Sequence, residues 1–319
     1  MGNIGCNTLP RYQDIFIPGD DDAYRLWRKQ KLADGAQGSQ SKLVCFDHLH
    51  QPGQTALCRI LAQCEAHNFA IYQVSDPGPE KQLRRSLIEF CHSLGLNRAE
   101  TNRSQGDDGI VSIQVEKQAI GAGYIPYSDK SLSWHSDGYY NAPTKRIKGM
   151  VLHCVRDASE GGVNEFLDHE IVYLRLRDAN PAYVSALMHD QAMTIPENTD
   201  QRSAYRPPSI GPVFFCDAIS GRLQMRYSAR SRNIIWRDDD LTTRARAMLK
   251  EIMADDPMIV RHKLRPGQGI ISNNVLHNRT GFSNGAEQSS SSRLLYRIRY
   301  LDAVRTPNSN AREESQCTN

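Results

Sequence analysis

Leu264–Phe282, LRPGQGIISNNVLHNRTGF, carries the pattern on which the fold turns. Its Pro-Gly pair is a turn signal, GIIS reads as a short apolar strand, and the polar Asn273-Asn274 pair follows before His277 at the far end. Six other runs after Asp108 share this character: GIVSIQVEK, KGMVLHCVR, GPVFFCD, LQMRYSA, MIVRHKL and RLLYRIRYLD. Each is short, rich in β-branched or aromatic residues, and bounded by Gly, Pro, Asn or Asp, as strands are. Helical spacing dominates earlier. TALCRILAQCEAHNF repeats apolar residues at Leu57, Ile60, Leu61 and Cys64, and PEKQLRRSLIEFCHSL at Leu83, Leu87 and Phe90. DDLTTRARAMLKEIMAD adds a later helix behind acidic caps. Helices early and many short strands later predict a mainly β sandwich or barrel with flanking helices, an α+β fold. A doubly wound sheet would need regular alternation, and neither Gly-x-Gly-x-x-Gly nor a phosphate loop is present.

The chain of 319 residues is long enough to bury a substantial core. Its net charge of +3, with 39% hydrophobic and 24% charged residues, gives no sign of a nucleic-acid or membrane surface. No apolar window is long enough for a membrane span, and MGNIGCNTLPRYQD lacks the layout of a signal peptide. Met-Gly opens the chain, but Cys6 stands where an acylation signal has Ser or Thr. Eight scattered cysteines without a Cys-x-x-Cys pair suit reduced, buried thiols and a cytoplasmic location. The expected organisation is one catalytic domain over 1–319, with flexible tails at 1–12 and 305–319. A flexible serine-rich loop is expected at 283–292, SNGAEQSSSS.

Ser131–Asn141, SLSWHSDGYYN, places His135 and Asp137 two positions apart. In an extended segment residues i and i+2 share a face, so an imidazole and a carboxylate can meet one metal ion. A third ligand would complete the facial triad of non-haem Fe(II) oxygenases, which leaves three positions open. Alone, a His-x-Asp is far more often an ordinary turn. His277, at the exit of the GIIS strand, is the best downstream third ligand. In RLLYRIRY, Arg293, Arg297 and Arg299 are all odd-numbered and so share one face. That face is either solvated or turned inward, where guanidiniums need anions such as a dicarboxylate.

Taken together, the His-x-Asp, the Gly161-Gly162 segment, the downstream PG…NN…LHNR..F and the terminal R..YRIRY resemble the taurine dioxygenase-like (TauD/TfdA) family of Fe(II)- and 2-oxoglutarate-dependent oxygenases. WHSDGYYNAPTKRIKGMVLHCVRDASEGGVNEFLD is similar to the gamma-butyrobetaine hydroxylase branch, and the matching runs extend from about Gly121 to Tyr300. The resemblance implies a double-stranded β-helix, or jelly roll, with His135, Asp137 and His277 as iron ligands. It implies that Arg293 grips the distal carboxylate of 2-oxoglutarate. Here the serine-rich loop lengthens the spacing from His277 to sixteen positions, so Arg297 remains an alternative. Where the family often has Gly-Gly-Asp-Thr, this chain has Gly161-Gly162-Val163-Asn164, which leaves the cosubstrate contact to the Asn164 amide.

The implied reaction is oxidation, most simply hydroxylation, of an unactivated C–H with release of succinate and carbon dioxide. Ser131, Tyr139, Tyr140, Asn141 and Arg297 are the candidate substrate contacts. The tyrosine faces suit a cation and the arginines an anion, so a zwitterion such as an amino acid or betaine satisfies both. The expected partners are the small-molecule substrate and dioxygen, with no nucleic acid and no membrane, and a homo-oligomer is allowed. A zinc-type hydrolase on the same three ligands, or a non-catalytic jelly-roll sensor or scaffold, are the competing readings. The arginine strand argues against the first, and the intact ligand set against the second.

Overall fold

The computed structural model describes residues 15–16, 21–38, 43–101, 108–115, 125–199, 205–218, 220–230, 234–284 and 292–305. Most of the 283–292 loop and nearly all of both expected tails fall outside these residues.

Two sheets form the centre. The large one contains β1 (Val44–Phe46), β2 (Phe69–Val74) and β3 (Val111–Ile113), and the small one contributes β4 (Leu132–His135). Then come β5 (Gly149–Arg156) in the large sheet, β6 (Asn164–Leu167) and β7 (Val260–His262) in the small, β8 (Gln268–Ser272) in the large, β9 (Leu276–Arg279) in the small and β10 (Leu294–Tyr300) in the large. The large sheet runs β1-β2-β8-β5-β10-β3 and the small one β7-β6-β9-β4. Apart from the parallel β1–β2 pair, every neighbour is antiparallel. The expected α+β jelly roll is the fold observed.

Period-two alternation explains how one strand serves two layers. In β10, Leu295 pairs with Cys154 and Arg297 with Leu152. These face the small sheet, where Met150, Leu152, Cys154, Ile270 and Leu295 pack with Phe166. The alternate residues Tyr296, Ile298 and Tyr300 turn outward, onto α2 (Gln54–His67) and α3 (Glu80–His92), with Ile60, Leu87 and Phe90 in that second core. A third core joins α4 (His169–Ala179), α5 (Pro181–Leu187) and α6 (Asp240–Asp255) beyond the small sheet. Helix α1 (Asp21–Gly38) docks there through Tyr24, and Lys31 forms buried ion pairs with Asp168 and Glu170.

Three expectations are corrected. Strands are not confined to the chain after Asp108, because β1 and β2 lie among the early helices. His277 is not at the exit of GIIS. The chain leaves the large sheet after Ser272, reverses at Asn274 (φ 53) and enters β9 of the small sheet, which carries His277. Asparagine tolerates this left-handed conformation better than most residues. Finally, His135 and Asp137 do not share one extended segment: β4 ends at His135, and Asp137 begins a turn. Among the cysteines, Cys64, Cys91 and Cys154 are buried as expected, whereas Cys45 and Cys58 are exposed. No helix among the described residues is long and apolar enough to cross a membrane.

Candidate metal and cosubstrate site

His277 on β9 lies directly opposite His135 on the adjacent β4. Directly opposed residues in an antiparallel pair project their side chains from the same face, and here the ring centroids are 4.3 Å apart. Asp137 reaches them from the turn after β4. Asn274 locks that turn, with Oδ1 accepting from the Asp137 backbone N–H at 2.7 Å and Nδ2 donating to the Asp137 carbonyl at 3.0 Å and the Ile147 carbonyl at 2.8 Å. One ligand-capable atom from each of His135, Asp137 and His277 lies within 4.8 Å of the other two.

Hydrogen bonds dictate which nitrogen faces the centre. His135 Nδ1 is 2.9 Å from the Ser133 carbonyl, and His277 Nδ1 is 3.0 Å from the Val275 carbonyl. A carbonyl only accepts, so each Nδ1 carries the proton and each Nε2 keeps its lone pair free for a cation. Burial, reinforced by the neighbouring His277, pushes His135 down to about 3, and burial likewise lowers His277. Both rings are therefore neutral at physiological pH, the form that binds metal. Burial alone would raise the Asp137 carboxyl, but Arg297 and Arg299 outweigh it and hold the group well below the usual range. Asp137 Oδ2 is buried without a hydrogen-bond partner among the described residues. Two imidazole lone pairs and one orphaned carboxylate oxygen on one face fit a ferrous facial triad.

A cleft of about 450 Å³ opens beside the triad, lined by His135, His277, Asn164, Arg279, Arg293 and Arg297 among others. Arg293 is 4% exposed and makes no ion pair among the described residues. Burial and the nearby Arg279 lower it to about 10. A guanidinium buried without a counter-ion is costly, and a dicarboxylate in this cleft would supply the missing anion. Both Arg279 and Arg293 stand over the Phe282 ring, at 4.8 and 4.9 Å from its centroid. Asn164 reaches the same cleft from β6.

The Gly-Gly pair has a steric reason. Gly161 and Gly162 hold φ of 66° and 69°, and a Cβ on Gly161 would sit 2.2 Å from the Gly281 carbonyl oxygen. A Cβ on Gly162 would lie 3.5 Å from Arg293 Nε and 3.6 Å from Phe282 Cβ. Gly161→Ala is expected to cost about 2 kcal/mol of stability or more, read as a lower urea midpoint.

The proposed substrate contacts are placed unevenly. Arg297 lines the cleft, its Nη1 3.4 Å from Asp137 Oδ1. Tyr139 and Tyr140 meet edge to face at 5.2 Å and pack against the third core. Tyr140 Oη accepts from Arg299 Nη1 at 3.2 Å, and Asn141 Nδ2 donates to Glu100 at 2.7 Å and to the Lys145 carbonyl at 2.9 Å. Ser131 is exposed and does not line the cleft.

Residues 82–299 match the family described as Taurine catabolism dioxygenase TauD, TfdA family. The chain belongs to this family. It is accordingly an Fe(II)- and 2-oxoglutarate-dependent dioxygenase, an oxidoreductase, which sets aside the hydrolase and scaffold readings. A uridine-5'-phosphate dioxygenase from an Amycolatopsis species is 24% identical over 281 residues, covering 83% of this chain and 96% of that protein. Among solved structures, asparagine oxygenase with Fe(II), hydroxyasparagine and succinate superposes with a TM-score of 0.55 at 14% identity, over 86% of this chain and 91% of that one. The non-haem iron oxygenase OrfP with iron, succinate and (3S)-hydroxy-L-Arg gives 0.59 at 13% identity, over 90% and 94%. TauD/TfdA membership thus agrees with the resemblance drawn from the motifs.

Three side chains of this TauD/TfdA site escaped sequence reading. Arg279 carried a usable signal, standing at i+2 from His277 on the same face, the rule applied to His135 and Asp137. Asn274 carried a weaker one, as an asparagine at a tight reversal. Glu100 carried none, because it sits in an irregular stretch and meets the site only through the fold.

Proposed function

We propose that the protein oxidises an unactivated C–H bond, by hydroxylation, in a small anionic or zwitterionic substrate, with His135, Asp137 and His277 holding the Fe(II). Convergence of the three ligand-capable atoms, with both Nδ1–H groups already committed to carbonyls, is the observation that carries the reading. When bound, the iron supplies the oxidising power, drawing on dioxygen and the decarboxylation of 2-oxoglutarate. The chain's own share is placement. Arg293 takes the distal carboxylate of 2-oxoglutarate through a charge-assisted fork, and Asn164 offers an amide donor beside it. The apolar lining, Ile113, Met150, Leu152 and Leu295, keeps bulk water off the reacting carbon.

Arg297, in the cleft next to Asp137, is positioned to meet an anionic group on the substrate. Amino acids suit this arrangement, and the hydroxylated amino acids held by asparagine oxygenase and OrfP favour them. The sequence relative acting on uridine-5'-phosphate favours a nucleotide instead, and both classes carry the anion that Arg297 requires. A single catalytic domain acting in the cytoplasm completes the proposal. To test it, amino acids, betaines and nucleoside monophosphates are supplied with Fe(II) and 2-oxoglutarate under air. At least one is expected to raise succinate formation well above the substrate-free rate. If every anionic and zwitterionic compound leaves that rate unchanged while neutral or purely cationic ones raise it, the substrate class is wrong.

A further inference from the structure

Behind the Asp137 carboxylate lies a quartet of charges, two buried and two half-buried. Arg297 Nη1 at 3.4 Å and Arg299 Nη1 at 3.8 Å approach the same oxygen, Oδ1. Arg299 forms an ion pair through Nη2 with Glu100 and donates from Nη1 to Tyr140 Oη at 3.2 Å. Glu100 in turn accepts from Asn141 Nδ2 at 2.7 Å, and its backbone N–H donates to the Arg299 carbonyl at 2.7 Å. The side chains of Asp137 and Arg299 are each 4% exposed and that of Glu100 12%. Two guanidiniums and two carboxylates therefore balance one another where an unpaired charge would be costly.

We propose that Glu100, acting through Arg299, is a positioning residue that reserves one oxygen of Asp137 for the cation. This rests on the metal-centre reading above. A carboxylate beside a divalent cation can bind through one oxygen or through both, and binding through both would consume a position that cosubstrate and dioxygen need. Here, among the described residues, both cationic contacts fall on Oδ1, while Oδ2 is left buried without a hydrogen-bond partner. Arg297 alone is a poor guarantor of that division, since it lines the cleft, where an anionic ligand would compete with Asp137 for it. Arg299 is not, because Glu100 and Tyr140 hold both of its terminal nitrogens.

Glu100 also grips the turn that follows the ligand. Asn274 fastens its start at Asp137, and Glu100 fastens its end at Asn141, whose amide also reaches the Lys145 carbonyl at 2.9 Å. One half-buried acid, thirty-seven positions before the ligand it serves, thus braces both the charge and the backbone of Asp137.

Glu100→Gln keeps the shape and the acceptor for Asn141 but removes the charge, and Arg299→Lys keeps charge while losing the fork. Anaerobic titration of the metal-free proteins with Co(II) reads the site without turnover. Each variant is expected to bind Co(II) about tenfold or more weakly, with an altered visible Co(II) spectrum. In Glu100→Gln kcat should fall by a similar factor while the KM for 2-oxoglutarate stays native, because Arg293 is untouched. Native Co(II) affinity and spectrum in both variants, with any loss confined to thermal stability, would reduce Glu100 to a structural part and overturn the proposal. His135→Ala separates the two levels. If it loses Co(II) binding while Glu100→Gln and Arg299→Lys bind as the native protein does, only the positioning role fails. If it binds as the native protein does, the metal-centre reading fails and takes the positioning role with it.

Discussion

His135→Ala is expected to lower 2-oxoglutarate-dependent succinate release by at least about a thousandfold. The metal's stabilisation of developing charge is worth several kcal/mol, and each 1.4 kcal/mol is a factor of ten. Loss of one of three ligands also weakens metal capture itself. His135 has a second advantage as the test position: its ring carries no charge at neutral pH, so its removal strands no counter-ion. Asp137→Ala is a harsher change. It is expected to abolish turnover and to leave Arg297 and Arg299 facing each other with, among the described residues, Glu100 to balance them. That loss of a buried partner is expected to cost roughly 3–5 kcal/mol of stability in addition. Succinate assays paired with urea denaturation separate the two effects. Native rates in both variants would remove the triad from the chemistry.

Arg293→Ala is expected to weaken 2-oxoglutarate binding by about 2–5 kcal/mol, on the order of thirty- to several-thousandfold in the dissociation constant. Stability should move the other way from most core truncations. The arginine is buried without an ion pair among the described residues, so removing it relieves a desolvated cation. Without cosubstrate, the variant is expected to melt no lower than the native protein. With cosubstrate, it should lose the upward shift that a ligand bound only to the folded state confers. A native 2-oxoglutarate requirement would pass the role to Arg297, which lines the same cleft.

Much of the site was readable because strand geometry has a short period. Residues 293, 297 and 299 share parity, and the inward placement of Arg297 and Arg299 follows from it. The ladder slips by one residue between Leu294 and Leu295, so Arg293 reaches the cleft from just outside the strand, by a route that parity does not guarantee. The helices divide for a related reason. Helices α2, α3 and α6 each bury one stripe and so display a helical period. In α4, HEIVYLRLRDA, the consecutive Ile171, Val172, Tyr173 and Leu174 are all buried, so the first turns show no helical stripe and their β-branched and aromatic content imitates a strand. Strand β2, FAIYQV, hid in the opposite way. It is flanked by α2 and α3, and its burial on both faces erases alternation.

Sequence reading missed Glu100 and placed His277 on the wrong strand because both depend on long-range pairing. No local pattern announces that an acid near position 100 will meet an arginine near position 299, or that two asparagines will carry the chain from one sheet to the other.

His135 and His277 form a single rung between β4 and β9. Their strands are laid down far apart in time during synthesis, with, among the described residues, four strands of the two sheets and three α-helices emerging between them. On the proposed triad, a nascent chain that has exposed only the first histidine and its aspartate offers two of the three donors, on an edge without its neighbour. On that reading, loading waits until β9 has left the ribosome and closed the small sheet, so a redox-active cation is not stranded on a half-made enzyme.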